Sequence, residues 1–123
     1  MIIGLGTDLV EVERMAKSIE TTGFREKIFS PGEIVYCESK VNKAESYAAR
    51  FAAKEAFFKA LGTGWRGGMA FHEIEVINNK LGKPDILING AVREFIEKKK
   101  IARIHVSLSH LKQMATAFVI LEK

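Results

Sequence analysis

Four charged side chains, Arg50, Lys54, Glu55 and Lys59, interrupt an otherwise almost continuously apolar run between Ser46 and Leu61. Ionised groups are rarely buried unpaired, because desolvation costs roughly several kcal/mol per ion. These four therefore need partners or a cleft. Glu55 and Lys59 have the i, i+4 order of an ordinary helix ion pair, worth about 0.2–0.5 kcal/mol on an exposed edge. The other reading is a cleft, with the carboxylate for a divalent metal and the cations for the phosphates around it. The next stretch, GTGWRGG from Gly62 to Gly68, lets backbone approach a ligand closely and favours the cleft. Because it follows a helix C-terminus, phosphate there depends on Lys59, Arg66 and loop amides, not on the helix dipole. Far upstream, Asp8 ends an apolar stretch. It is either a metal ligand or a helix cap, since its spacing to Glu11 is that of a capping box. Asp8 and Glu55 together are hard oxygen donors of the kind Mg²⁺ accepts, with waters and substrate phosphates completing the shell.

Alanine and leucine predict one helix from about Ala44 to Leu61, stopped at Gly62, and its apolar circumference makes it the buried centre of the fold. Ile2 to Val10 reads as a buried strand closed by Asp8, in which Gly4 and Gly6 mark a bulge or close backbone approach. Glu11 to about Thr21 is expected as a helix showing Glu13, Arg14, Lys17 and Glu20 outward, ended by Gly23. Two shorter helical pieces follow, from Phe24 to Phe29 and from Pro31 to about Ser39. Past the glycines, Phe71 to Asn78 alternates as a strand with His72 on its surface, and a turn leads to a partner strand from Asp85 to Asn89. Ala91 to about Lys100 is an amphipathic helix. Arg103 to Ser109 is a strand with His105, Ser107 and Ser109 on one side, and a turn at His110 to Gln113 joins it to a last antiparallel strand from Met114 to Leu121. This order of elements indicates an α+β fold, a mainly antiparallel sheet packed against a long central helix.

A chain of 123 residues is expected to be a single domain, residues 1–123, too small to enclose an elaborate cleft easily, so a site shared between subunits is anticipated. Hydrophobic content of 47% with 28% charged residues belongs to an ordered globular protein. The single Cys37 has no disulfide partner and fits a reducing compartment as a structural thiol. The start, MIIGLGTDLV, carries Asp8 and no basic leader, and no apolar run is long enough to span a bilayer, so a cytoplasmic protein is expected. The net charge of +4 is spread along the chain apart from Lys98 to Lys100, giving little support to a nucleic-acid face. Phosphate-loop, dinucleotide and nucleophile-elbow patterns are absent, and Ser107 and Ser109 have no orienting group for serine catalysis. Two rivals remain: a binding module for nucleic acid, and a metal-dependent pyrophosphatase acting on a nucleotide.

GLGTDLVEV at the start, FAAKEAFFKALGTG in the centre, LGKPDI and then HVSLSH, in this order, closely resemble the small 4'-phosphopantetheinyl transferases that act on acyl carrier proteins. The resemblance implies transfer of 4'-phosphopantetheine from coenzyme A to a carrier serine, releasing adenosine 3',5'-bisphosphate, in support of fatty acid biosynthesis. It implies Asp8 and Glu55 as Mg²⁺ ligands and Lys59 beside the pyrophosphate. Arg50, Lys54 and Gly62, Thr63 and Gly64 would lie along the same ligand. It further implies a homotrimer with sites between subunits, in which Lys83, Pro84, His105, Ser109 and His110 reach the nucleotide from the neighbouring chain. Larger relatives carry a second acid where this chain has Val10, and Glu11 is expected to point elsewhere if the strand continues. Asp8 or a metal-bound water is the expected base, with Glu55 less favoured. For the carrier's acidic helix, Arg14, Lys17, Phe24 and Arg25 are the expected contacts. Neither a nucleic-acid nor a membrane partner is implied.

Overall fold

A helix of 19 residues, Lys43–Leu61, lies across a three-stranded antiparallel sheet and packs on it more extensively than any other helix. The computed structural model describes residues 1–63 and 68–123. In chain order the elements are β1 (Ile2–Glu11), α1 (Val12–Ser18), α2 (Phe24–Ile28), α3 (Pro31–Glu38), α4 (Lys43–Leu61), β2 (Ile74–Asn78), β3 (Pro84–Ile88), α5 (Gly90–Lys98), β4 (Arg103–His110) and β5 (Met114–Glu122). The larger sheet has the order β1-β5-β4, and β2 and β3 form a separate antiparallel hairpin. No described helix is long and apolar enough to cross a membrane.

The strand pattern decides what α4 rests on. Ala115, Ala117, Val119 and Leu121 of β5 face the helix and are buried, as are Ala52, Ala53, Ala56 and Ala60 across from them. Small side chains on both surfaces let helix and sheet come close. The approach is tightest at β1, where a Cβ on Gly4 would lie 2.0 Å from the Ala60 carbonyl oxygen and one on Gly6 1.9 Å from that of Ala56. The register also slips between Ile2 and Gly4, so both expectations for these glycines hold.

Several local expectations are corrected. β1 continues through Asp8, opposite Ala117, to Glu11, opposite Met114, and α1 starts only at Val12. Glu11 is its N-cap residue and no side chain caps it, so Asp8 and Glu11 do not form a capping box: Asp8 is still extended and paired in the sheet. The helix also stops earlier than expected, at Ser18. Phe71–Glu73 is a 3₁₀ turn and not the start of a strand, because the Glu73 carboxylate accepts the Ala70 N–H at 3.0 Å and the Ala91 N–H at 3.0 Å. His72 is therefore exposed on a turn. The capping box that does form is at α3, where Ser30 Oγ accepts the Glu33 N–H at 3.1 Å and Glu33 Oε1 accepts the Ser30 N–H at 2.9 Å.

Cys37 is fully buried, and burial pushes its thiol up to about 12. The native thiol thus keeps its proton over a range in which the unfolded thiol, near 9, loses it. This contribution to stability is therefore complete below pH 9 and is lost as pH rises toward 12, by about 1.4 kcal/mol per pH unit. Cys37→Val should lose less stability than the wild type between pH 9 and 11, measured by urea unfolding. Equal alkaline slopes would show that the thiol is not enclosed.

Candidate active site

Asp8 and Glu55 reach one cavity from opposite layers. Asp8 belongs to the helix-facing side of β1, and its carbonyl oxygen accepts the Thr116 hydroxyl at 2.9 Å, fixing the strand beside β5. Glu55 comes from the part of α4 that Gly6 brings within contact. The cavity, about 420 Å³, has these carboxylates with Glu11 and Arg14 on its polar side, and Leu9, Met15, Phe24 and Phe51 among its apolar residues. Half-burial raises the Glu55 carboxyl above its ordinary range, the charge of Asp8 raises it further, and Lys59 partly opposes them. Two carboxylates close enough to repel each other, in a cavity with room for water, form a hard-oxygen donor set. Among the described residues no cluster of three or more His, Cys, Asp or Glu could hold a metal, so the donors fit an ion that keeps most of its waters, such as Mg²⁺, and not one needing a closed protein cage.

Lys59 is not paired along the helix. Its Nζ donates to Asp8 Oδ1 at 2.9 Å and to the Thr7 carbonyl at 3.0 Å, so its ion pair crosses to the strand and is not the local one with Glu55. One turn further, Gly62 caps α4 with φ of 77°, and its N–H bonds the Lys59 carbonyl at 3.0 Å. Thr63 follows directly, while Gly64 and Arg66 lie outside the described residues.

Lys54 requires a correction. It has no exposed surface and lines no cleft, because its Nζ donates to Glu33 Oε1 at 2.7 Å and to the carbonyl oxygens of Phe71 and Ile74. Facing α3 and the 3₁₀ turn, it turns away from the surface that carries Glu55. Arg50 is also buried, its guanidinium 4.0 Å from the centre of the Tyr36 ring and donating to Asn78 Oδ1, with Nε unpartnered. It does line a cavity, of about 220 Å³, with Ser46, Asn78, Pro84 and His110. A further cavity of about 280 Å³ is lined by Lys83, Pro84, His105 and Asp85. His105 bonds Glu122 at 2.9 Å, His110 bonds Glu45 at 2.9 Å, and Ser109 is exposed on the outer side of β4. Within one chain, and among the described residues, neither of these two cavities shares a lining residue with the carboxylate cavity.

Arg14 and Phe24 lie at the carboxylate cavity itself. Lys17 is exposed beside Glu13 at 4.0 Å. Arg25 is drawn to Glu38 at 2.9 Å, and Glu38 also accepts the Tyr47 hydroxyl at 2.8 Å, an arrangement that holds α2 against α3 and α4. Glu11 was expected to point elsewhere; instead it lines the cavity and lies 3.9 Å from Arg14. Glu11 ends β1 and is the N-cap residue of α1, so it stands at the rim of the cavity where strand gives way to helix. Two contributors were not anticipated: Phe51, one helical turn before Glu55, and Glu33, the counter-ion of Lys54. The Phe51 spacing was visible in the sequence, and Ser30-Pro31-Gly32-Glu33 carried the capping-box signature.

A model of the 4'-phosphopantetheinyl transferase superfamily matches residues 4–119. A holo-[acyl-carrier-protein] synthase of Solibacter usitatus (strain Ellin6076) is 49% identical, with 99% of each chain covered. The crystal structure of holo-[acyl-carrier-protein] synthase from Neisseria meningitidis superposes with a TM-score of 0.91 at 37% identity, covering 100% of both chains. A synthase from Bacillus anthracis str. Ames in complex with CoA (3',5'-ADP) superposes with a TM-score of 0.83 at 35% identity, covering 99% of this chain and 97% of that one. With its α+β architecture and paired carboxylates already in place, this chain belongs to the 4'-phosphopantetheinyl transferase superfamily.

Proposed function

We propose that the chain transfers 4'-phosphopantetheine from coenzyme A to a serine of an apo acyl carrier protein, using Asp8, Glu55 and Lys59 with one Mg²⁺, in the service of fatty acid biosynthesis. The observation that carries this reading is the convergence of Asp8 and Glu55 on one cavity with Lys59 bonded to Asp8. When bound, Mg²⁺ would be held by the two carboxylates and would neutralise charge on the diphosphate of coenzyme A. Lys59 supplies fixed positive charge beside the same position and needs little reorganisation, since Thr7 and Asp8 already hold it. The serine oxygen attacks the β-phosphorus, the bond from that phosphorus to the bridging oxygen breaks, and adenosine 3',5'-bisphosphate leaves with that oxygen. The serine proton passes to Asp8 and then to solvent. Arg14, exposed at the mouth, meets the carrier's acidic surface with Lys17, while Phe24 supplies an apolar contact. Arg25 acts from its bond to Glu38 as a support for α2.

The working assembly in this reading is a homotrimer. The outer face of the larger sheet exposes Ile3, Leu5, Leu9 and Phe118, an apolar surface of the sort a second subunit covers. Lys83, Pro84, His105 and His110 line cavities apart from the carboxylates, so a ligand that needs both sets finds them on different chains. Gly62 and Thr63 lie along that ligand on the α4 side, and Arg50, which shares a cavity with Pro84 and His110, comes with Ser109 from the neighbouring chain.

Intact mass spectrometry of an apo carrier protein incubated with the enzyme, coenzyme A and Mg²⁺ tests the reaction. The carrier should gain one phosphopantetheine, and a chelator should stop it. Release of free phosphopantetheine with carrier absent would overturn the transferase reading in favour of a pyrophosphatase.

A further inference from the structure

Arg50 is 3% exposed and carries its charge with no carboxylate paired to it among the described residues. A buried cation without a counter-ion is costly, because nothing replaces the hydration it has lost. The carboxylates of the neighbouring elements are engaged elsewhere. Glu33 is closed on Lys54 and on the Val76 N–H, and Glu75, which shares a cavity of about 170 Å³ with Arg50, accepts the Ser30 hydroxyl at 2.8 Å. What holds Arg50 is neutral. The Tyr36 ring attracts the guanidinium at 4.0 Å, and Asn78 Oδ1 accepts one of its N–H groups, while Nε has no acceptor. Asn78 is itself fixed, since its Nδ2 donates to the Gly82 carbonyl at 2.9 Å and so turns Oδ1 to the arginine. The cavity of about 220 Å³ that Arg50 shares with Asn78, Gly82 and His110 has no Asp or Glu among its described lining residues.

A neutral partner does here what a charged one could not. A carboxylate at position 78 would cancel the charge that a phosphate has to find, whereas an amide oxygen fixes the guanidinium and leaves its charge intact. We infer that Asn78 is a positioning residue, orienting Arg50 through a neutral bond so that its uncompensated charge is kept for a phosphate of coenzyme A. This rests on the reading above, in which Arg50 lies along that ligand. The free protein gives up stability at Arg50, and the phosphate supplies the missing counter-ion when it binds. A substitution that supplied the counter-ion from within the chain would therefore stabilise the fold and weaken the ligand together.

Asn78→Asp and Asn78→Ala separate charge from structure, because both remove the bond to Gly82 and only the first brings a carboxylate to Arg50. Thermal unfolding without ligand, equilibrium binding of coenzyme A without carrier, and steady-state kinetics are compared with the wild type and with Arg50→Gln. Of the two Asn78 variants, Asn78→Asp should have the higher thermal midpoint, by about 4 °C or more, and yet the weaker affinity. Its Kd and KM for coenzyme A should rise about tenfold or more and those of Asn78→Ala about threefold, with kcat of both within about threefold of the wild type. A residue that merely held the hairpin would move both variants alike. Asn78→Asp binding coenzyme A as well as Asn78→Ala does, or melting no higher, would overturn the inference. Arg50→Gln should bind coenzyme A weakly; wild-type affinity in that variant would overturn the reading of Arg50 itself and the inference with it. Because binding is read without carrier, failure of the transfer reading would register separately, as a carrier left unmodified by the wild type.

Discussion

Glu55→Gln should reduce turnover by on the order of 10³-fold, about 4 kcal/mol of transition-state stabilisation, while leaving the protein folded. The substitution keeps side-chain length and volume and removes one of two negative charges from the carboxylate cavity. Glu55 is half-buried, and burial together with Asp8 already disfavours its charged form, so the protein gives up stability to keep a second anion there. A cation held between the two recovers that loss when it binds. In the wild type, Mg²⁺ should therefore raise the thermal midpoint, because a ligand bound to the folded state alone stabilises it by mass action. In Glu55→Gln the shift should disappear along with the activity. Asp8→Asn should behave alike in kinetics and in addition loosen Lys59, whose ammonium would keep only the Thr7 carbonyl as a full partner. A Glu55→Gln enzyme with turnover within tenfold of the wild type, or with an undiminished Mg²⁺ shift, would remove Glu55 from the site.

The central helix and the strands were legible in the sequence because each rests on short-range chemistry, whereas nothing local joins Asp8 to Glu55, and their pairing came from the family resemblance of the motifs around them. Alanine-rich helix propensity set α4, and two glycines spaced by one residue announced the place where a strand lies against it. What misled was long-range. Lys54 and Glu55 are neighbours in sequence, and helical spacing places them about 100° apart, but nothing local reveals that a carboxylate 21 residues upstream waits for the lysine. Lys54 thus read as a cleft cation when it is a core ion. Asp8 carried two local meanings, cap and ligand, and the sheet resolved them: a residue paired with Ala117 in mid-strand has no helix to cap. The 3₁₀ turn was hidden for a similar reason, since alternation in Phe71 to Glu73 satisfied a strand pattern while Glu73 was committed to the N–H groups of Ala70 and Ala91. Lys83, Pro84, His105 and His110 could be grouped only by folding, because they come from the loop before β3, from β3 and from β4.

Gly6→Ala should destabilise the protein by about 3 kcal/mol and lower its thermal midpoint by about 10 °C or more. The new methyl group would sit 1.9 Å from the Ala56 carbonyl oxygen, 2.7 Å from the Ala60 nitrogen and 2.9 Å from the Ala56 carbonyl carbon. All three are backbone atoms, so no side chain can rotate to make room, and β1 and α4 must separate by more than 1 Å to restore ordinary contact. That separation acts where the chemistry is. Gly6 precedes Asp8 by one step on the same face of β1, and Ala56 follows Glu55 on α4, so the displacement moves the two carboxylates apart. The concentration of Mg²⁺ needed for half-maximal rate should consequently rise by about tenfold, measured at a temperature where the variant is fully folded. Gly23→Ala is the control, because its added Cβ meets nothing within 4 Å and it tests only the left-handed backbone, with φ of 84°, at a cost of about 1 kcal/mol. Equal losses at the two positions, or an unchanged Mg²⁺ requirement in Gly6→Ala, would show that the spacing between strand and helix does not set the distance between Asp8 and Glu55.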